Sequence, residues 1–170
     1  GWPGPAALPG VDYVSDYLAA NCPENFTPGI LHGDYSIGNV MYCRESSKIK
    51  AIVDWELSTI GDPLVDLGHI VATWHKSGGP NLSVLRVKPW KGFPSAEELI
   101  TRYASNCTRD LSQINWYIVL ACCRLAIIIE GTYARACAGE ASMETGILLH
   151  ETAIRLIQRA LYHIETPVRF

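Results

Sequence analysis

The chain reads as an α+β domain, mostly α, in which a small β-hairpin precedes a run of helices. Three observations carry this reading. Segments 39–43 and 48–53 are short, rich in Val and Ile, and flank a polar stretch at 44–47, which is the pattern of a hairpin. After Asp54, apolar residues recur at helical spacing, and capping signals punctuate the remainder.

The elements follow in order. Residues 1–10 are rich in Pro and Gly and read as a linker. Residues 12–20 form a short helix, with Val14, Tyr17 and Leu18 on one face. Pro23 and Pro28 end that pattern, and the hairpin comes next. Asp62-Pro63 then opens a helix: Asp supplies a capping oxygen and Pro is preorganised for the first turn. Leu64, Leu67, Val71 and Trp74 continue it at spacings of three and four.

Residues 76–94 lack periodicity, contain Gly78-Gly79-Pro80, and read as a long loop. Ser95-Ala96-Glu97-Glu98 fits a capping box and predicts a helix to about Cys107. Asp110-Leu111-Ser112-Gln113 fits a second, opening a long helix to about Ala138 with a bend at Gly131. Ser142 starts the last helix, with Ile154, Ile157, Leu161 and Ile164 on one face.

The chain has 170 residues, enough for one packed domain without staples. At 48% hydrophobic it is not a disordered tail, and its net charge of −3 argues against general nucleic-acid binding. The longest apolar run, 114–129, is short for a membrane span and carries Arg124 near its middle, so it reads as a buried helix. The N-terminus has no signal-peptide pattern. Six cysteines form no C-x-x-C pair, and Cys107, Cys122, Cys123 and Cys137 fall in helix-like stretches. A reduced, cytoplasmic protein is the expectation.

The chemistry concentrates between Ile30 and Gly68. Asp34 precedes the hairpin and Asp54 ends it, so antiparallel pairing returns one towards the other, with Asn39 between them. Convergent carboxylates repel unless a cation or a proton intervenes. Asp and Asn oxygens suit a hard cation such as Mg²⁺, while the thiols and imidazoles are wrongly placed for zinc. Mg²⁺ usually brings phosphate with it, and a further carboxylate beside it could orient a hydroxyl and take its proton.

His32-Gly33-Asp34-Tyr35-Ser36-Ile37-Gly38-Asn39 resembles the H-G-D-x-x-x-x-N motif of the aminoglycoside phosphotransferase and choline kinase superfamily, a variant of the protein-kinase catalytic loop. Ile52-Val53-Asp54-Trp55-Glu56 is similar to its I-D-W-E segment, and Gly61-Asp62-Pro63-Leu64-Val65-Asp66-Leu67 to its G-D-P-x-x-D-L segment. Arg124-Leu125-Ala126 and Gly131-Thr132-Tyr133-Ala134-Arg135 resemble the subgroup related to the kinase-like domains of acyl-CoA dehydrogenase family proteins.

The resemblance implies the C-terminal lobe of a protein-kinase-like fold. It would comprise a linker and short helix (1–28), catalytic and metal-binding loops with the hairpin (29–68), and a helical substrate subdomain (69–170). It implies an ATP-dependent phosphotransferase acting on a small-molecule hydroxyl, with a hydroxyacyl-CoA as one candidate. Asp34 would be the base, and Asn39 and Asp54 the Mg²⁺ ligands. His32 and Asp66 would support the loop, and Trp55 would pack where the kinase Phe packs. Asp62 would be a helix cap, and Glu56 reads as a packing or hydrogen-bonding residue rather than a ligand.

Lys76, Arg86, Lys88 and Lys91 make the long loop locally basic, so Lys88 and Lys91 are candidate contacts to an anionic acceptor. Arg124 is a third candidate, with a paired, buried structural Arg as its competing reading. The β-rich lobe that carries a phosphate-covering loop and a Lys in such kinases has no counterpart before His32, so a preceding lobe of the same parent chain is expected as partner. Two other readings stay open: a silent kinase-like binding module, and a metal-dependent phosphohydrolase.

Overall fold

The computed structural model describes residues 2–4, 8–46, 48–74 and 91–170. Five helices form its bulk: α1 (Val11–Ala20), α2 (Leu64–Thr73), α3 (Ala96–Ala104), α4 (Ile114–Cys137) and α5 (Met143–Glu165). Four short strands form two antiparallel pairs. β2 (Val40–Tyr42) pairs with β3 (Ile49–Ile52) as the expected hairpin. The other pair, β1 (Gly29–Leu31) with β4 (Thr59–Gly61), was not legible in the pattern.

The core lies where α2, α4 and α5 meet. Val71, Ile118, Cys122, Leu156 and Ile157 are fully buried there. α4 and α5 run antiparallel. The Asn115 amide near the start of α4 donates to the His163 carbonyl near the end of α5 (2.7 Å), and Ala136 abuts Gly146 at the other end. α1 packs on this pair, with the Trp116 indole donating to the Leu18 carbonyl (3.0 Å). α4 is long and apolar enough to cross a membrane, but half of its most apolar stretch is buried against its neighbours.

The buried Arg159 of α5 closes the other end of α2. Its guanidinium donates to the carbonyls of Val71 (3.1 Å) and Trp74 (2.8 Å) at the helix's last turn, the former also accepting from the Trp74 amide (3.1 Å). The hydrogen bonds of this buried cation thus go to backbone carbonyls through one terminal nitrogen, while its Nε has no partner among the described residues.

Several local expectations need correction. The Ser95–Glu98 capping box forms, with both reciprocal bonds (3.1 and 2.6 Å), but its helix ends at Ala104, which leaves Cys107 outside it. The second box does not form. Asp110 turns its carboxylate onto the nearby Ser112 amide (2.8 Å) and hydroxyl (2.9 Å), and α4 begins only at Ile114. This is the local competition that Asp side chains offer to a helix start. α4 runs through Gly131 without a break in its helical assignment. Asp62 caps α2 by accepting from the Leu64 amide (3.0 Å), and it also accepts from the Tyr117 hydroxyl, which ties α2 to α4. Most of the predicted 76–94 loop lies outside the described residues.

Candidate functional site

The β1–β4 pair builds the site. β1 runs directly into His32-Gly33-Asp34, and β4 runs into Asp62-Pro63 and α2. Pairing the two strands therefore sets the first turn of α2 against the loop. Asp66, in that turn, accepts from the backbone amides of His32 (2.6 Å) and Gly33 (2.9 Å), one on each carboxylate oxygen. A bidentate, charge-assisted clasp of this kind fixes the loop's entry angle. Gly33 takes a left-handed conformation (φ 85°), and a Cβ there would sit 2.4 Å from the Leu57 carbonyl oxygen, so the position requires glycine.

His32 spends both ring nitrogens on the backbone. Nδ1 accepts from the Asp34 amide (3.2 Å), which leaves Nε2 to carry the proton and donate to the Val53 carbonyl (2.8 Å). One buried ring thus joins the loop to the end of the hairpin. The Trp55 ring lies against it, centroids 4.7 Å apart, with its indole N–H donating to the Ile52 carbonyl (2.8 Å). Trp55 remains partly exposed, as does Glu56 beside it.

Asn39 sits where the loop becomes β2. Its amide nitrogen donates to the Asp34 carbonyl (2.9 Å) and to Asp34 Oδ2 (3.2 Å). Two acceptors on the nitrogen assign the amide's orientation and leave Oδ1 turned away from Asp34. The Asn39 carbonyl accepts from the Val53 amide (2.9 Å), extending the β2–β3 ladder by one step and bringing Asp54 alongside. Asp54 is exposed and has φ 68°, the one left-handed non-glycine among the described residues. Asp tolerates that region better than most residues, but it still costs about 1 kcal/mol.

The oxygens at Asn39 and Asp54 suit a hard divalent cation. They are one amide oxygen and one exposed carboxylate, the short protein-ligand set Mg²⁺ accepts when phosphates and water complete its shell. Among the described residues, no cluster of three or more His, Cys, Asp or Glu could hold a metal ion. His32 could not join one, since both its nitrogens are committed.

One residue of the site was missed. His69 of α2 brings Nε2 to 3.3 Å from Asp34 Oδ1. Burial pushes its pKa below the ordinary histidine range, Asp34 and Asp66 pull it back, and Arg124 adds to the lowering. The signal was available: His69 follows Asp66 by three positions, so both lie on one face of α2. The half-buried Arg124 is thus close enough to act on this cluster. Lys91 is exposed just before α3, and Lys88 lies outside the described residues. Beside the loop lies a cavity of about 680 Å³, lined in part by Tyr35, Ile37, Trp55, Ile70, Trp74 and Tyr103.

These features have counterparts in known proteins. The sequence model of the phosphotransferase enzyme family matches residues 4–99, and the chain belongs to that family. Its helices and strands superpose on a candidate aminoglycoside phosphotransferase from Ralstonia eutropha JMP134 with a TM-score of 0.71 and 26% identity. The match covers 92% of this chain and 50% of that one. The chain has the C-terminal lobe of a protein-kinase-like fold.

More particularly, it is 32% identical over 166 residues to acyl-CoA dehydrogenase family member 11 of Homo sapiens, covering 89% of this chain and 21% of that protein. It is 29% identical over 144 residues to family member 10 of Mus musculus, covering 82% and 14%. The chain thus spans about a fifth or less of the length of these relatives.

Proposed function

We propose that this lobe transfers the γ-phosphoryl group of ATP to a hydroxyl of a small molecule, with Asp34 as the base and Asn39 and Asp54 holding Mg²⁺. The observation that carries this is the setting of Asp34. Its side chain is 43% exposed, open to a substrate, while Asn39 and His69 flank its two oxygens. A carboxylate so placed can accept a hydrogen bond from the acceptor hydroxyl and take its proton as that oxygen bonds to phosphorus and the bond to ADP breaks. Bound Mg²⁺ would supply the charge that neutralises the phosphates. His32 and Asp66 act at one remove, since their bonds go to the loop backbone that carries Asp34.

For the acceptor, a hydroxyacyl-CoA or a similar intermediate is the favoured class. The names of the relatives concern acyl-CoA chemistry, and the cavity beside the loop has a mainly apolar and aromatic lining that suits an acyl chain. Exposed Lys91 and half-buried Arg124 are candidate contacts for the anionic part. An intracellular, reducing setting fits six free thiols.

The test uses the natural full-length protein in an ATP-consumption screen against hydroxy acids, their CoA esters and amino alcohols. On the acceptor so found, Asp34→Asn is expected to lower turnover by about 10²- to 10⁴-fold while nucleotide affinity stays near that of the unaltered protein. Near-normal turnover in that variant would refute the base assignment. Nucleotide binding without consumption on any acceptor would favour a silent binding module.

A further inference from the structure

The two oxygens of Asp34 are approached from different elements. Oδ2 receives Asn39 from the loop itself, and Oδ1 faces His69 Nε2 from α2 at 3.3 Å. We propose that His69 is a positioning residue for Asp34: a neutral imidazole, its Nε2 at 3.3 Å from Oδ1, that turns Nε2–H onto that oxygen when substrate closes the site and, with Asn39, fixes the plane of the carboxylate. This rests on reading Asp34 as the base.

The chemistry favours a neutral ring. A full positive charge at this distance would stabilise the carboxylate and weaken it as a proton acceptor, whereas a neutral N–H orients it at smaller cost to its basicity. The surroundings supply the neutrality. The His69 side chain is only 8% exposed, and burial and Arg124 oppose its protonation while Asp34 and Asp66 favour it, with a net lowering. The 3.3 Å separation is long for a charge-assisted bond, and contacts of this kind commonly tighten when substrate closes the site. α2 is a firm mount for the ring. Asp66, three residues earlier, is clasped to the loop, and Arg159 holds the helix's other end.

Two measurements on the natural full-length protein separate this proposal from the reading it rests on. The first needs no activity. In ¹⁵N-histidine-labelled protein at pH 8, the His69 ring, assigned by its loss in His69→Gln, is expected in the Nε2–H tautomer, and its signals should move in Asp34→Ala. An Nδ1–H tautomer, or signals indifferent to Asp34→Ala, overturns the contact.

The second measures hydrolysis of Mg·ATP with water as acceptor. His69→Leu should lower kcat by about 10- to 100-fold with KM for ATP unchanged. His69→Gln keeps a donor near the Nε2 position and should recover most of that loss. Equal rates in the unaltered, Leu and Gln proteins overturn the positioning role, as does a Gln variant no better than Leu. If Asp34→Asn hydrolyses ATP normally, the base reading fails and takes the catalytic role of His69 with it; if the unaltered protein does not use water, the same comparison is made on the acceptor found in the screen above. The tautomer then still decides whether the contact exists.

Discussion

Asp66 serves two backbone donors that have no other acceptor among the described residues, the amides of His32 and Gly33. Removing it should be felt first in stability. Asp66→Ala leaves both amides without a partner in a half-buried setting, at about 1–3 kcal/mol for each bond lost. A fall of that order in unfolding free energy, read by urea denaturation, is expected together with loosening of the loop. An unchanged midpoint would show that the clasp contributes nothing net. His69 sets a pH dependence at the same scale. Its folded pKa is depressed by burial, so the unfolded chain binds the extra proton first as pH falls. Stability is thus full above the ordinary histidine pKa of about 6.5 and declines on acidification below it. The slope of denaturation midpoint against pH should be shallower in His69→Gln over that window. Residues that touch their neighbours through the loop motif itself were legible as a group. His69 was legible only in part: its spacing from Asp66 puts both on one face of α2, but its contact with Asp34 depends on how α2 meets the loop, and no local pattern encodes that approach.

At the scale of elements, the approach traces back to three-residue strands. β1 and β4 carry Ile30 and Ile60 outward at 73% and 78% exposure, so the apolar–polar alternation that would announce a strand is missing from their sequences. Their pairing is fixed by what flanks them, which is why only the longer β2–β3 hairpin could be read in advance. Helices announced themselves better where the capping residue sits next to the first turn, as at Ser95 and Ser142, whose side chains accept from Glu98 and Thr145 (3.1 and 3.4 Å). Asp110 failed as a cap because its own turn captured it. The α2–α4 crossing rests on Gly68. A Cβ there would lie 2.5 Å from the Tyr117 carbonyl oxygen and 2.9 Å from its Cβ, and backbone cannot yield cheaply. Gly68→Ala should therefore destabilise the chain by about 1–3 kcal/mol despite alanine's better helix propensity. It should also disturb the site, since the same helix carries Asp66 and His69. A melting temperature equal to or above that of the unaltered chain would mean the two helices separate more freely than their packing indicates.

For the whole molecule, the helices share a sealed core, while large apolar side chains stay open on α4 and α5 (Ile127, Ile128, Ile147, Leu148) as well as around the loops. Val71, Ile118, Cys122 and Ile157 are sealed between helices, whereas Ile30, Met41, Tyr42, Ile49, Trp55, Leu57 and Ile60 leave large apolar surfaces open on the two small sheets and the segments joining them. Clustered apolar area of that kind around the candidate site is a usual mark of a surface that meets something else. The parts proposed here for catalysis supply a base and two metal ligands. Such enzymes hold the nucleotide with a strand lysine and a phosphate-covering loop, which are not among these proposed parts; Lys50, on β3, belongs to the hairpin. If the open sheets seat a preceding lobe, the 170 residues alone should bind ATP weakly and transfer no measurable phosphate, while a natural chain extended at its N-terminus should do both. The same extension should protect the β2–β3 hairpin amides from hydrogen exchange and leave those of α4 and α5 almost unchanged, since the latter are already packed. Robust turnover by the 170 residues would show that one lobe suffices. Protection spread evenly over the helices would place the partner surface elsewhere.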